Sequence, residues 1–217
     1  MKQVMKLFCC KTMMDEIARI KPDDILVEYI EYALHRNPDK LRAELQKRID
    51  REEEADVLVF VYGLCSRGLD GLKARNKTLV IPRVHDCISI LLGSRDKYQE
   101  EFEASPGTYY LSKGWIDQKA DPYQEYEEYV DKYGEENAKW VIEQSYKHYK
   151  RLVFIDTKLP ELDEYKEYAQ KVARFMDVDY IWMQGQGDFF EKLVSGSWEK
   201  DFIVVNPGET SRYQDFM

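Results

Sequence analysis

Nowhere does the sequence approach the run of about 18 apolar residues that a membrane span requires. Residues 1–11 show neither the apolar core nor the small-residue cleavage site of a secretory signal. The expectation is a cytoplasmic protein with no membrane partner. Positive charge is short as well: 32 Lys and Arg stand against 41 Asp and Glu, for a formal charge of −9. With no Lys/Arg stretch long enough to follow a phosphate backbone, no nucleic-acid partner is expected. Cysteine is scarce, four residues without framework spacing, which predicts reduced thiols rather than disulfides. The glycines are few, and neither the Gly63 and Gly68 pair nor the Gly185 and Gly187 pair has the spacing of a nucleotide fingerprint. No internal repeat of fixed period stands out.

What is present is a chain of 217 residues, long enough to bury a core without a metal or disulfide to staple it. A metal bound here would therefore serve function rather than folding. Short runs of Val, Ile, Leu and Phe alternate with longer amphipathic stretches, the pattern of parallel strands joined by helices. Strands are expected over 4–9, 26–30, 57–62, 79–82, 152–155, 180–183 and 202–205. The helix opening at Pro38 carries Leu41, Leu45 and Ile49 at helical spacing through Asp50. The fold class is α/β, a mostly parallel Rossmann-like sheet flanked by helices, in one domain spanning residues 1–217. Within it, residues 95–150 read as a helical, tyrosine-rich and acidic insertion or lid, broken at Pro106-Gly107, Gly114, Pro122 and Gly134. Its aromatics are expected either to pack helices onto the sheet or to flank a flat ligand.

Three cysteines each follow a predicted strand: Cys10 directly, Cys65 after Gly63-Leu64, and Cys87 after Arg83-Val84-His85-Asp86. In open α/β sheets, ligands bind beyond the carboxyl ends of the strands. His85 and Cys87, two apart in an extended segment, face the same side. Thiolates with an imidazole form a zinc set, whereas Cys10, Cys65 and Cys87 alone suit an iron–sulfur cluster with one iron open. Cys9 should turn away from Cys10 by strand alternation, and buried cysteine also serves as apolar filler. His35 and His148 read as exposed or capping residues. Arg67, Arg83, Asp86, Asp156, Gln184, Gly185 and Gln186 are expected to line the same crevice and contact a small molecule or cofactor. Asp86 is placed either to orient His85 or to cap the helix after it.

The segments Cys10-Lys11-Thr12-Met13-Met14-Asp15-Glu16, Leu34-His35-Arg36-Asn37-Pro38, Tyr62-Gly63-Leu64-Cys65 and Pro82-Arg83-Val84-His85-Asp86-Cys87-Ile88-Ser89-Ile90-Leu91-Leu92-Gly93-Ser94 resemble the family called domain of unknown function 1638. The ending Phe202-Ile203-Val204-Val205-Asn206-Pro207-Gly208 fits it too, so the resemblance covers nearly the whole chain. The family pattern includes Cys10, Cys65 and Cys87 and does not require Cys9. The resemblance implies an anaerobic setting near corrinoid-dependent methyl transfer, with a corrinoid as a further cofactor and a methyltransferase or corrinoid protein as partner.

Three functions compete. The first is a metal- or corrinoid-linked protein of methyl transfer, where a metal-bound thiolate supplies a nucleophile at neutral pH. The second is a non-catalytic carrier or assembly protein for a cofactor. The third is a cysteine-nucleophile enzyme using His85 as base with Asp86 or Asp156 orienting it, which ranks last because cysteine nucleophiles usually meet a histidine from elsewhere in the fold.

Overall fold

The structure, a computed structural model, describes residues 3–217. In chain order it runs β1 (Met5–Cys10), a 3₁₀ turn (Lys11–Met13), α1 (Met14–Ile20), β2 (Leu26–Ile30), a second 3₁₀ turn (Tyr32–Arg36), α2 (Pro38–Arg51), β3 (Val57–Val61), β4 (Thr78–Pro82) and α3 (Cys87–Leu92). There follow α4 (Arg95–Ala104), β5 (Thr108–Leu111), α5 (Lys113–Asp117), α6 (Pro122–Tyr133), α7 (Glu135–Tyr146), β6 (Arg151–Asp156), α8 (Asp163–Met176) and β7 (Asp179–Gln184). The chain ends through α9 (Asp188–Ser195), β8 (Phe202–Val205) and a last 3₁₀ turn (Tyr213–Phe216). This is a mixed α/β fold with mostly parallel sheets flanked by helices. Among the described residues no helix is long and apolar enough to cross a membrane.

The chain divides into two compact units, one holding the residues up to Arg95 together with Gln186–Met217, the other Asp96–Gly185. The first unit carries a sheet in the order β2-β1-β3-β4-β8, parallel except for β8. Strand β3, Val-Leu-Val-Phe-Val, is buried along its whole length, as a central strand covered on both faces must be. Helix α2 begins where Pro38 occupies the first turn and the Asn37 side chain accepts the Lys40 N–H at 3.0 Å. Its buried stripe is Leu41, Leu45 and Ile49.

The second unit carries a separate parallel sheet, β5-β6-β7. The stretch 95–150, read from sequence as a helical insertion or lid, also contains a strand, β5, and with β6, α8 and β7 builds a core of its own. Thr-Tyr-Tyr-Leu is short, but it is β-branched and aromatic and pairs in register with β6, Thr108 opposite Arg151. Leu111, Leu152, Phe154, Ala169 and Val172 are buried together there. Of the tyrosines, Tyr123 and Tyr126 pack on Phe175, while Tyr109 meets Tyr146 and Tyr149 edge to face.

Candidate functional site

In the first unit the strand order reverses between β1 and β3, because β2 lies outward from β1 on one side while β4 follows β3 on the other. A crevice opens at such a switch point beyond the carboxyl ends of the strands. Cys10 ends β1, and Cys65 follows β3 within four residues. The loop carrying Cys65 is laced to the loop carrying Cys87: Leu64 N–H donates to the Val84 carbonyl at 2.9 Å and Cys65 N–H to the His85 carbonyl at 3.0 Å. Gly63 permits this approach, since a Cβ there would stand 2.6 Å from the backbone of Asp86.

The chain pays for the position of Cys65 with backbone strain. Cys65, Ser66 and Arg67 take φ values of 47°, 54° and 73°, three successive non-glycine residues in the left-handed region. Each costs on the order of 1 kcal/mol. The loop is held against α2, where Arg42 Nη2 donates to the Arg67 carbonyl at 3.1 Å.

His35, on the 3₁₀ turn after β2, is the imidazole at this site. Its Nδ1 lies 3.5 Å from Cys10 Sγ and its Nε2 3.3 Å from Cys65 Sγ. Cys10 Sγ also accepts the Thr12 hydroxyl at 3.1 Å, and Cys87 lies close enough to Cys65 and His35 for both to act on its thiol. The three sulfurs are buried and unbridged. Tyr62, the residue after β3, closes the group, its ring 5.3 Å from that of His35. Its buried hydroxyl lies toward Cys10.

Burial by itself would lower the pKa of His35, but the hydrogen bond and charge of Cys10, the charge of Cys87 and the Tyr32 carbonyl outweigh it and raise it. The Cys87 thiol is pushed well up, first by its hydrogen bond with Cys65 and then by burial. Burial, followed by the charge of Cys10, does the same to Tyr62. Cys9 faces elsewhere: its thiol donates to the carbonyl of Cys10 at 3.2 Å, and burial first of all raises its pKa.

His85 is exposed and contributes its carbonyl to the Cys65 loop rather than its ring to the sulfurs. An extended His-x-Cys pair shares a face only while the backbone stays extended, and here Cys87 already opens α3. Asp86 caps that helix, its Oδ1 accepting the Ile88 N–H at 3.0 Å. Arg67 is turned outward onto Asp70 and the ring of Tyr213. Arg83 lines a different cavity, against β8. Gln184, Gly185 and Asp156 belong to the second unit, where Asp156 accepts from the Trp182 indole at 3.1 Å and pairs with Lys166 at 3.1 Å. Gln186 N–H donates to the Leu92 carbonyl, joining the chain back to the end of α3.

Sequence reasoning missed His35, Thr12 and Tyr62 as members of this group. The capping task assigned to His35 is performed by Asn37. The available signals were that His35 follows the β2 segment, toward the same edge as Cys10, and that it lies in Leu34-His35-Arg36-Asn37-Pro38, one of the segments that carry the family resemblance.

The family model for proteins of unknown function DUF1638 matches residues 29–194. The chain belongs to that family. His35, Cys65 and Cys87 lie inside the matched residues, while Cys10 and the ending at 202–208 lie outside them, so the match is shorter than the resemblance drawn from the sequence. No curated protein and no solved structure matches the chain.

The donor set suits a soft or borderline metal. Sulfur at about 2.3 Å and nitrogen at about 2.0 Å on one tetrahedral zinc stand about 3.5 Å apart, close to the 3.3 Å between His35 Nε2 and Cys65 Sγ. Its two nitrogens face different sulfurs, however, and among the described residues no group of three or more His, Cys, Asp or Glu side chains is arranged to hold an ion.

Proposed function

We propose that this DUF1638 protein is a cytoplasmic metal-thiolate protein whose centre is built from Cys65, Cys87 and the Nε2 of His35, with Cys10 held against Nδ1. The observation that carries the reading is the placement of three sulfurs and one imidazole, from four separate segments, at the switch point of the sheet. Three protein ligands leave a position for substrate, and the Nδ1–H bond to Cys10 would fix the tautomer that leaves Nε2 free to coordinate. A bound metal would keep the Cys65 and Cys87 thiols deprotonated at neutral pH; the chain's own part is to orient them, exclude water and hold the proton on Nδ1. An iron–sulfur cluster on Cys10, Cys65 and Cys87 is the form of this reading in which His35 is not a ligand. The link to corrinoid-dependent methyl transfer, with a corrinoid cofactor and a methyltransferase or corrinoid protein as partner, rests on the family resemblance, as does the alternative of a non-catalytic carrier or assembly protein.

The test is the colour and elemental content of protein purified without oxygen, together with Cys10→Ser, Cys65→Ser, Cys87→Ser and Cys9→Ser variants. A colourless zinc protein that loses metal in Cys65→Ser and Cys87→Ser but not in Cys9→Ser supports the centre as drawn. A brown iron protein dependent on Cys10, Cys65 and Cys87 supports the cluster. Metal-free protein that takes up neither metal overturns both.

A second reading rests on His35 itself, which stands within reach of two thiols and reaches them from elsewhere in the fold, as a cysteine nucleophile requires. Metal-free protein whose Cys65 is alkylated far faster in wild type than in His35→Ala would favour it.

A further inference from the structure

We infer a second, independent binding site in the first unit: a polar cavity beside β8 that takes a small carboxylate bearing a hydrogen-bond donor. The cavity, about 290 Å³, is lined by Arg83, Val204, Glu209, Thr210, Arg212 and Asp215, among others. Arg83 leaves the end of β4 and Arg212 precedes the last 3₁₀ turn, so the antiparallel pairing of β8 with β4 and the return of the chain bring them to one place.

One oxygen of each acidic side chain on the wall is already engaged. Glu209 Oε2 accepts from Asn206 N–H at 2.9 Å and from its side-chain amide at 3.1 Å, and Asp215 Oδ2 accepts Arg212 N–H at 2.9 Å. Neither arginine forms an ion pair with them among the described residues. The Arg83 backbone is pinned by a 2.8 Å bond from its N–H to the Asp201 carbonyl. Its guanidinium makes one long bond, Nη2 to the Phe202 carbonyl at 3.4 Å, and its Nε is buried with no partner. An unpaired buried donor on a charged group is costly, and a planar carboxylate meets the guanidinium fork with two parallel bonds. The remaining oxygens of Glu209, Asp215 and Thr210 are acceptors, which favour a hydroxyl or ammonium on the same molecule. Two cations balanced by two anions on the wall disfavour a bare dianion such as phosphate.

The experiment follows the arginine Nε–Hε resonances of the full chain by NMR, at constant ionic strength, with L-lactate, L-serine, acetate and inorganic phosphate as probes; Arg83→Lys assigns the signal. L-lactate or L-serine should shift the Arg83 resonance saturably, with a dissociation constant of about 1 mM or tighter, at least tenfold tighter than acetate or phosphate. Arg212→Gln, at an exposed position, should weaken binding at least tenfold while the backbone spectrum elsewhere is unchanged. Absence of a saturable shift with both donor-bearing probes overturns the site. So does phosphate binding as tightly as either, or unchanged affinity in Arg212→Gln.

Discussion

The imidazole of His35 stands between two cysteines that are distant in sequence, with Nδ1 3.5 Å from Cys10 Sγ and Nε2 3.3 Å from Cys65 Sγ. The two histidines of the site region can therefore be separated by substitution. His35→Ala should lower metal affinity about tenfold or more, the loss typical of a ligand or of the group orienting one. His85→Ala, at an exposed ring, should leave it unchanged. Metal titration of both variants decides this, and an equal effect at the two positions would remove His35 from the centre.

Gly63→Ala puts a Cβ 2.6 Å from the Asp86 backbone, where no flexible side chain can yield. The expected cost is about 1–3 kcal/mol, as for other overpacked sites, with the Cys65 loop pushed off the Cys87 loop. Denaturant unfolding measures the first and metal content the second. A variant as stable as wild type would show that the two loops have room to part.

Asn37→Ala removes the cap of α2, which the His35 turn leads into. Loss of such a cap costs about 1 kcal/mol. Thermal unfolding should show a fall of that size, and Asn37→Ser should recover most of it. If serine does no better than alanine, the Asn37 bond to Lys40 contributes nothing.

Asp156 in the second unit has its pKa lowered: burial works upward, but the Lys158 N–H, the Lys166 ammonium and the Trp182 indole outweigh it. A carboxylate depressed in the folded state stabilises fully above its unfolded value of about 3.9 and loses that stabilisation as pH falls through the folded value. The indole N–H resonance of Trp182 should accordingly shift with a midpoint below about 3.9, and Asp156→Asn should abolish the transition. A midpoint at or above the unfolded value would contradict the bond between Trp182 and Asp156.

By itself the sequence determined the periodicities, and with them the α/β class, the helix from Pro38 and seven of the strands, because alternation, helical spacing and capping are local properties of the chain. It also placed Cys10, Cys65 and Cys87 after three strands, since the distance from a strand end is counted along the chain. Tertiary structure alone decided which nitrogen joins those sulfurs. His85 is two residues from Cys87 yet faces solvent, while His35 reaches Cys10 and Cys65 across gaps of 25 and 30 residues. That choice depends on β2 lying beside β1, on the 3₁₀ turn after β2 and on the left-handed backbone at Cys65, none of which has a signature in residue spacing. The division into two sheets was hidden for the same reason: β6 has the same buried apolar run as β3 and β4, and only its pairing with β5 and β7, rather than with β4, assigns it to a second core.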